Sequence, residues 1–216
     1  MAKFPEPPAI ADLVAIGPDI VRLHEGTALA RLFFRGGAHP VGWDEFRFWG
    51  PGPSRFDHHL PGADGEARVQ DRGILYAAGA SGPGALAVCV AEVFQATRII
   101  DLRDRAPWFA TFRVSRPLSL LDLRGLWPTR AGASSAIASG PKGRARRWSQ
   151  RIYEAYPEID GLLYPSSMGG NADALALYER ARDALPAAPA FHRALADPSL
   201  RAPLFAAAKA IGYAIV

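Results

Sequence analysis

Glu92 is the only charged residue between Arg72 and Arg98, in a stretch that otherwise reads LYAAGASGPGALAVCVAEVFQAT around it. A carboxylate among apolar neighbours is costly to bury unless it has a partner or a task. On the thin solvated side of a helix it would need neither, and both readings stay open from the residues alone. Two adjacent hydroxyls form the second feature. Ser166 and Ser167 follow the apolar run 161–164 and Pro165, whose missing amide hydrogen ends a strand ladder. Side chains just past a strand end face a cleft rather than a core, although an ordinary connection with two surface serines has the same pattern. Ser166 has no histidine partner in the sequence pattern, so it suits hydrogen bonding better than nucleophilic attack. The third feature is arginine. Lys occurs only at 3, 142 and 209, so 25 basic residues less three leaves 22 Arg. Guanidinium forks hold carboxylates and phosphates bidentately, which fits an anionic ligand. A coding bias towards Arg, Ala, Gly and Pro would produce the same excess.

Other chemistries find less support. Cys89 is the only cysteine. It excludes a disulfide framework and a cysteine metal cluster, and within LAVCVAEVF it reads as a small buried hydrophobe. The five histidines at 24, 39, 58, 59 and 192 show no metal spacing beyond the pair His58-His59. Adjacent side chains are expected to diverge, so the pair is weak support for a metal. Phosphate-loop, dinucleotide-fingerprint, H-E-x-x-H and G-x-S-x-G patterns are absent.

The elements that must position these residues follow from periodicity. Residues 1–8 are proline-rich and read as a loose lead-in, and 10–16 as a short helix. Residues 20–23 and 28–34 read as extended, the second carrying Arg31 into Phe33-Phe34. Residues 36–53 read as an aromatic-rich loop, followed by Arg55 in the proline-bracketed PGPSRFD. Residues 73–78, with Tyr76, form a clear strand. Ser81-Gly82-Pro83 marks the start of a helix to about 96, with Leu86, Cys89, Val90, Val93 and Phe94 at helical spacing. Strands are expected at 98–102, 110–114 and 118–123. A helix over 142–156 should turn Trp148, Ile152 and Tyr153 inward and Arg144, Arg146 and Arg147 outward. After the strand at 161–164, Met168-Gly169-Gly170 reads as a turn. Asn171 or Asp173 should then cap a further helix carrying Leu175, Tyr178 and Arg182. Proline-broken helical pieces lead to Gly212, and 213–216 reads as a last strand.

With 216 residues, 49% hydrophobic and 21% charged, the chain fits one soluble domain with a sizeable core. It lacks a basic-then-apolar leader and any apolar run of spanning length, which points to the cytoplasm and away from the membrane.

Several of these residues occur in an order that resembles a known family. Arg31 in ALARLFF, Arg55 in SRFD, Tyr76 in GILYAA, Glu92 in VAEVF and Ser166 in LLYPSS follow the succession of RES-domain proteins, named for their Arg, Glu and Ser. ALALYERA at 174–181 and Ser139-Gly140 before a Trp-bearing helix are similar to the longer members. The resemblance is strongest over 23–182 and implies one RES-like domain over 1–216, with a C-terminal extension from 187. The fold it implies is α+β, a single compact domain similar to the ADP-ribosyltransferase fold, with a mixed or split sheet and flanking helices.

RES proteins are toxins of bacterial toxin–antitoxin pairs that degrade NAD, in characterised members by phosphorolysis. The resemblance therefore implies Glu92, Arg55 and Ser166 as catalytic residues, with Arg31 and Tyr76 as substrate-binding residues. It implies no metal and no resident cofactor, NAD as substrate and inorganic phosphate as a co-substrate. It also implies a small helical antitoxin as partner, contact with nucleic acid only through that antitoxin, and allows a homo-oligomer. Cleavage of the nicotinamide–ribose bond passes through an oxocarbenium-like centre that a carboxylate can stabilise. Arg forks suit the pyrophosphate or an attacking phosphate, and the Tyr76 ring suits stacking. Two other functions compete: transfer of ADP-ribose onto a protein, and a non-enzymatic basic module binding nucleic acid. The dispersed Arg pattern and the absence of a nucleic-acid motif count against the second.

Overall fold

The computed structural model describes residues 4–80 and 84–216; the expected helix start at Ser81-Gly82-Pro83 lies outside the described residues. The chain forms α1 (Ile10–Ile16), β1 (Ile20–Leu23), β2 (Ala28–Phe34), β3 (Arg47–Gly50), β4 (Arg68–Gly79), α2 (Ala85–Val93), β5 (Ile99–Ile100), β6 (Pro107–Arg113) and β7 (Leu118–Asp122). It continues through α3 (Trp127–Arg130), α4 (Ala136–Ser139), α5 (Lys142–Ala155), β8 (Gly161–Pro165), β9 (Asp173–Tyr178), β10 (Phe191–Ala194), α6 (Arg201–Ile211) and β11 (Ala214–Ile215). The architecture is α+β. A nine-stranded mixed sheet runs β1-β7-β8-β9-β4-β2-β6-β10, with β3 added to β4, and β5 pairs with β11 apart from it. Within the large sheet only β7 and β8 are parallel, and α3 to α5 form the crossover between them.

Strand parity sorts the side chains onto two faces. Ile74, Tyr76 and Ala78 of β4 share one face with Ala30 and Leu32 of β2, Ala174, Ala176 and Tyr178 of β9, and Leu162 and Tyr164 of β8. Helices α1 and α5 cover one end of that face through Leu13, Trp148 and Ile152. Helices α2 and α6 cover the other end through Leu86, Val90 and Leu204. Tyr76 and Tyr164 lie where these two groups meet. The opposite face carries Leu29, Phe33, Leu75, Phe112, Leu120 and Leu163, roofed by Trp43 and Phe46.

The largest departure from expectation is the segment after the glycine turn, which is β9 rather than a capped helix. Gly170 and Asn171 take left-handed φ values of 65° and 66°, closing a hairpin in which Pro165 pairs with Asp173. Asp173 therefore opens a strand, and Asn171 forms the turn. Strand β9 is bonded to β8 on one side and β4 on the other, so ALALY, residues 174–178, is buried on both faces. A short apolar run buried on both faces loses its period-2 signature, and Ala and Leu are good helix formers, so tertiary pairing overrides propensity. Only Glu179–Ala184 is helical, as a 3-10 turn.

Smaller corrections have equally local causes. The lead-in is tied down from Phe4, whose ring stacks on Trp148 at 6.3 Å, while Trp148 Nε1 donates to the Pro5 carbonyl. The aromatic loop contains β3, α2 ends at Val93, and the C-terminal region holds β10 besides α6. His58 and His59 do not diverge: their rings lie 5.4 Å apart, nearly parallel. Among the described residues no helix is long and apolar enough to cross a membrane.

Candidate active site

Helix α2 is apolar along its buried side because it packs on β2 and β4, and its last turn delivers the single carboxylate, Glu92. The β8–β9 hairpin brings the partner. The Ser166 amide donates to the Ala172 carbonyl at 2.8 Å and its carbonyl accepts from Asn171 at 3.0 Å, fixing the turn. Ser166 is fully buried whereas Ser167 is exposed. The Ser166 hydroxyl donates to Glu92 Oε1 at 2.5 Å and accepts from the Gly169 amide at 2.8 Å. Gly169 permits this approach: a Cβ there would lie 2.9 Å from Ser166 Oγ and 3.0 Å from a Val88 methyl. With its one hydrogen committed to Glu92, the Ser166 hydroxyl fixes the position of that carboxylate.

Arg55 reaches the same region from the loop after β3. Its Nη1 donates to the Gly140 carbonyl at 2.5 Å, just before α5. Burial lowers the Arg55 pKa, and the charges of Glu92 and Tyr164 oppose that shift. Tyr164 stands on β8 two residues before Ser166, its ring 4.6 Å from that of Phe56. Burial raises the Tyr164 pKa well above the usual phenol value, reinforced by the negative charge of Glu92. Lys142, at the start of α5, is lowered first by burial and then by Arg55, with Glu92 pulling the other way. Arg146, one turn further along α5, donates to the Gly52 carbonyl at 3.3 Å. One carboxylate thus faces Arg55 and Lys142, with Arg146 beside Lys142, an excess of positive charge suited to an anion. Tyr76 lies beside this group on the same sheet face, its pKa raised by burial and then by the Asp57 carboxylate.

Four of the five residues singled out in the sequence, Arg55, Tyr76, Glu92 and Ser166, therefore share the face covered by α2 and α5. Arg31 does not. It is paired with Ala110 on the opposite face, and its Nη1 donates to the carbonyls of Trp43 at 2.8 Å and Glu45 at 3.0 Å. Burial draws its pKa down to about 9, partly offset by Asp44 and Glu45. Tyr164 and Lys142 were missed. Tyr164 has the same strand parity as Ser166, a usable signal; Lys142 is near only because the α3–α5 crossover returns there. Cys89 is buried and pushed up to about 12 by desolvation, which keeps it a thiol. Among the described residues, no group of three or more His, Cys, Asp or Glu side chains is arranged to hold a metal ion.

A family model described as the RES domain matches residues 29–203. The chain belongs to the RES domain family. The matched span contains the hydrogen-bonded pair Glu92–Ser166. Among curated proteins, none matches the sequence. Among solved structures, a chain of the M. tuberculosis MbcT–MbcA toxin–antitoxin complex superposes with a TM-score of 0.56 at 18% identity, over 91% of this RES chain and 96% of that chain. At that identity the likeness is one of fold.

Proposed function

We propose that this RES domain consumes NAD, breaking the nicotinamide–ribose bond, and acts as the toxin of a toxin–antitoxin pair. The observation that carries the chemistry is the Ser166–Glu92 hydrogen bond of 2.5 Å beside Arg55. Ser166 fixes one carboxylate oxygen, leaving the other to face positive charge developing on the ribose. The electron pair of the C–N bond leaves with nicotinamide, which departs neutral and needs no strong acid. A phosphate oxygen then bonds to the ribose carbon, giving a phosphorylated ADP-ribose; with water the product is ADP-ribose and a released proton. Arg55, Lys142 and Arg146 supply the cations for the pyrophosphate or for attacking phosphate, and the Tyr76 and Tyr164 rings offer stacking surfaces. RES membership and the fold shared with a toxin–antitoxin chain support the toxin role.

The basic excess gives little support to nucleic-acid binding, because much of it is internally paired. Arg116 bridges Asp160 and Asp183, Arg124 bridges Asp122 and Asp173, and Glu6 takes both Arg144 and Arg147. The test is incubation of pure protein with NAD, with and without phosphate, and separation of products. Phosphorylated ADP-ribose only with phosphate supports phosphorolysis, and ADP-ribose in both supports hydrolysis. Intact NAD in every arm overturns the proposal, and label on protein would favour the transferase.

A further inference from the structure

The motif PGPSRFD-His58-His59 contains more than the site uses. Asp57 and His59 are fully buried, 2.5 Å apart between Asp57 Oδ1 and His59 Nδ1. Asp57 Oδ1 also accepts from the His59 amide at 3.1 Å. The other oxygen accepts from Arg47 Nη2 at 2.6 Å and from the Gly52 amide at 2.5 Å. Four donors saturate one carboxylate. Burial alone would raise the Asp57 pKa, but hydrogen bonds and charge from His59 and Arg47 outweigh it and hold the group ionised. Nδ1 of His59 is therefore the protonated nitrogen. Its Nε2 is buried and makes no hydrogen bond among the described residues.

The pair folds one loop. Gly52 and His59, at its two ends, are both tied to the Asp57 carboxylate. Gly50 lies directly beneath the His59 ring, where any Cβ would collide. From the other side α5 holds the same loop: Ser149 Oγ donates to the Phe56 carbonyl at 2.8 Å and Gln150 Nε2 to the His59 carbonyl at 2.8 Å. Arg55 lies between these fixed points. The geometry points to Arg47, Asp57 and His59 as positioning residues that set where the Arg55 guanidinium stands, and so how tightly the site holds an anion. This rests on the anion-binding role proposed above for Arg55.

The test compares His59→Phe and Arg47→Met, which remove donors to Asp57, with His59→Asn, whose side-chain amide restores one. Three measurements are made on folded protein: kcat and KM for NAD, calorimetric affinity for inorganic pyrophosphate, and hydrogen exchange of the backbone amides between 52 and 59. In His59→Phe and Arg47→Met, KM should rise roughly tenfold and pyrophosphate should weaken in parallel, with kcat within about threefold, since only placement is lost. Exchange in the loop should quicken. His59→Asn should stay within about twofold of wild type on all three. Equal damage from His59→Asn and His59→Phe overturns the inference, as does unchanged pyrophosphate affinity in a loop that exchanges faster. If the wild-type protein leaves NAD intact, the proposed reaction fails separately, and pyrophosphate affinity with loop exchange decides this inference alone.

Discussion

Arg31 and Arg55 carry the same functional group, lie within one stretch of chain, and flank the same sheet. One ends as a bolt in the protein and the other as an arm beside Glu92. Arg31 sits on a central strand, and its parity sends it to the face roofed by Trp43 and Phe46, where two main-chain carbonyls absorb its donors. Arg55 stands on a loop, held by a single carbonyl at Gly140 and balanced against Glu92. Residue type specifies what a side chain can bind. The face it occupies specifies whether anything from outside can reach it.

The largest effect should come from the centre of the α2–α5 face. Glu92→Gln should keep the fold and lower NAD turnover about a hundredfold or more, the usual loss for one electrostatic contact to a transition state. Turnover within about threefold of wild type, roughly 0.7 kcal/mol, would remove Glu92 from catalysis. Next comes its orienting hydroxyl. Ser166→Ala should cost about tenfold in turnover, on the scale of one lost hydrogen bond to a charged group, while Ser167→Ala stays near wild type in turnover and melting temperature. Equal effects at the two serines would make the hairpin a structural turn only.

The arginines themselves give the sharpest version of the contrast. Arg55→Lys keeps charge but loses the planar fork, and should weaken NAD binding severalfold in calorimetry with little change in melting temperature. Arg31→Lys should do the reverse, lowering stability by about 1–3 kcal/mol through an unsatisfied buried carbonyl while leaving affinity intact. If Arg31→Lys loses affinity at unchanged stability, the two faces communicate and the comparison breaks.

The smallest effect concerns pH. His58 is fully buried, its ring 4.3 Å from Tyr153. Desolvation, followed by His59, Arg72 and Arg180, lowers its pKa well below 6.5, with Asp57 opposing. Glu179 Oε2 lies 4.0 Å away but is engaged by the Gly73 amide. The folded state therefore refuses a proton that the unfolded chain accepts, so stability is full above 6.5 and falls as pH drops below it. His58→Phe, close in shape, should flatten that decline between 6.5 and about pH 5 in denaturation curves. An unchanged slope would place the acid sensitivity elsewhere, for instance at His192, which is also lowered by burial.

Much of this was legible from the residues. β1 and β2 run over the expected 20–23 and 28–34, because alternation and glycine punctuation act locally. Glu92 stood out because a lone charge in an apolar helix needs a reason, and Ser166 stood out through its place in LLYPSS. The rest depended on distant partners. β9 looked helical because the distant β4 on one side and the adjacent β8 on the other bury it on both faces, which erases the period-2 pattern. Arg31 looked like a ligand arm because nothing local reveals which face a central strand turns towards the helices. His58 and His59 looked incidental because their roles are set by Asp57 in one case and by Tyr153 and Tyr178 in the other.

The position of β9 has a consequence for synthesis. This strand, residues 173–178, fills the gap between β4 and β8, which themselves lie far apart in the sequence. A nascent chain that has emerged only through α5 holds Glu92 and Arg55 but has two unjoined half-sheets and lacks Ser166. The serine arrives on the hairpin that closes them, 74 residues after Glu92. The proposed site and the complete fold therefore come together, late on the ribosome. A chain stopped at Asp160 should accordingly show neither cooperative unfolding nor NAD turnover.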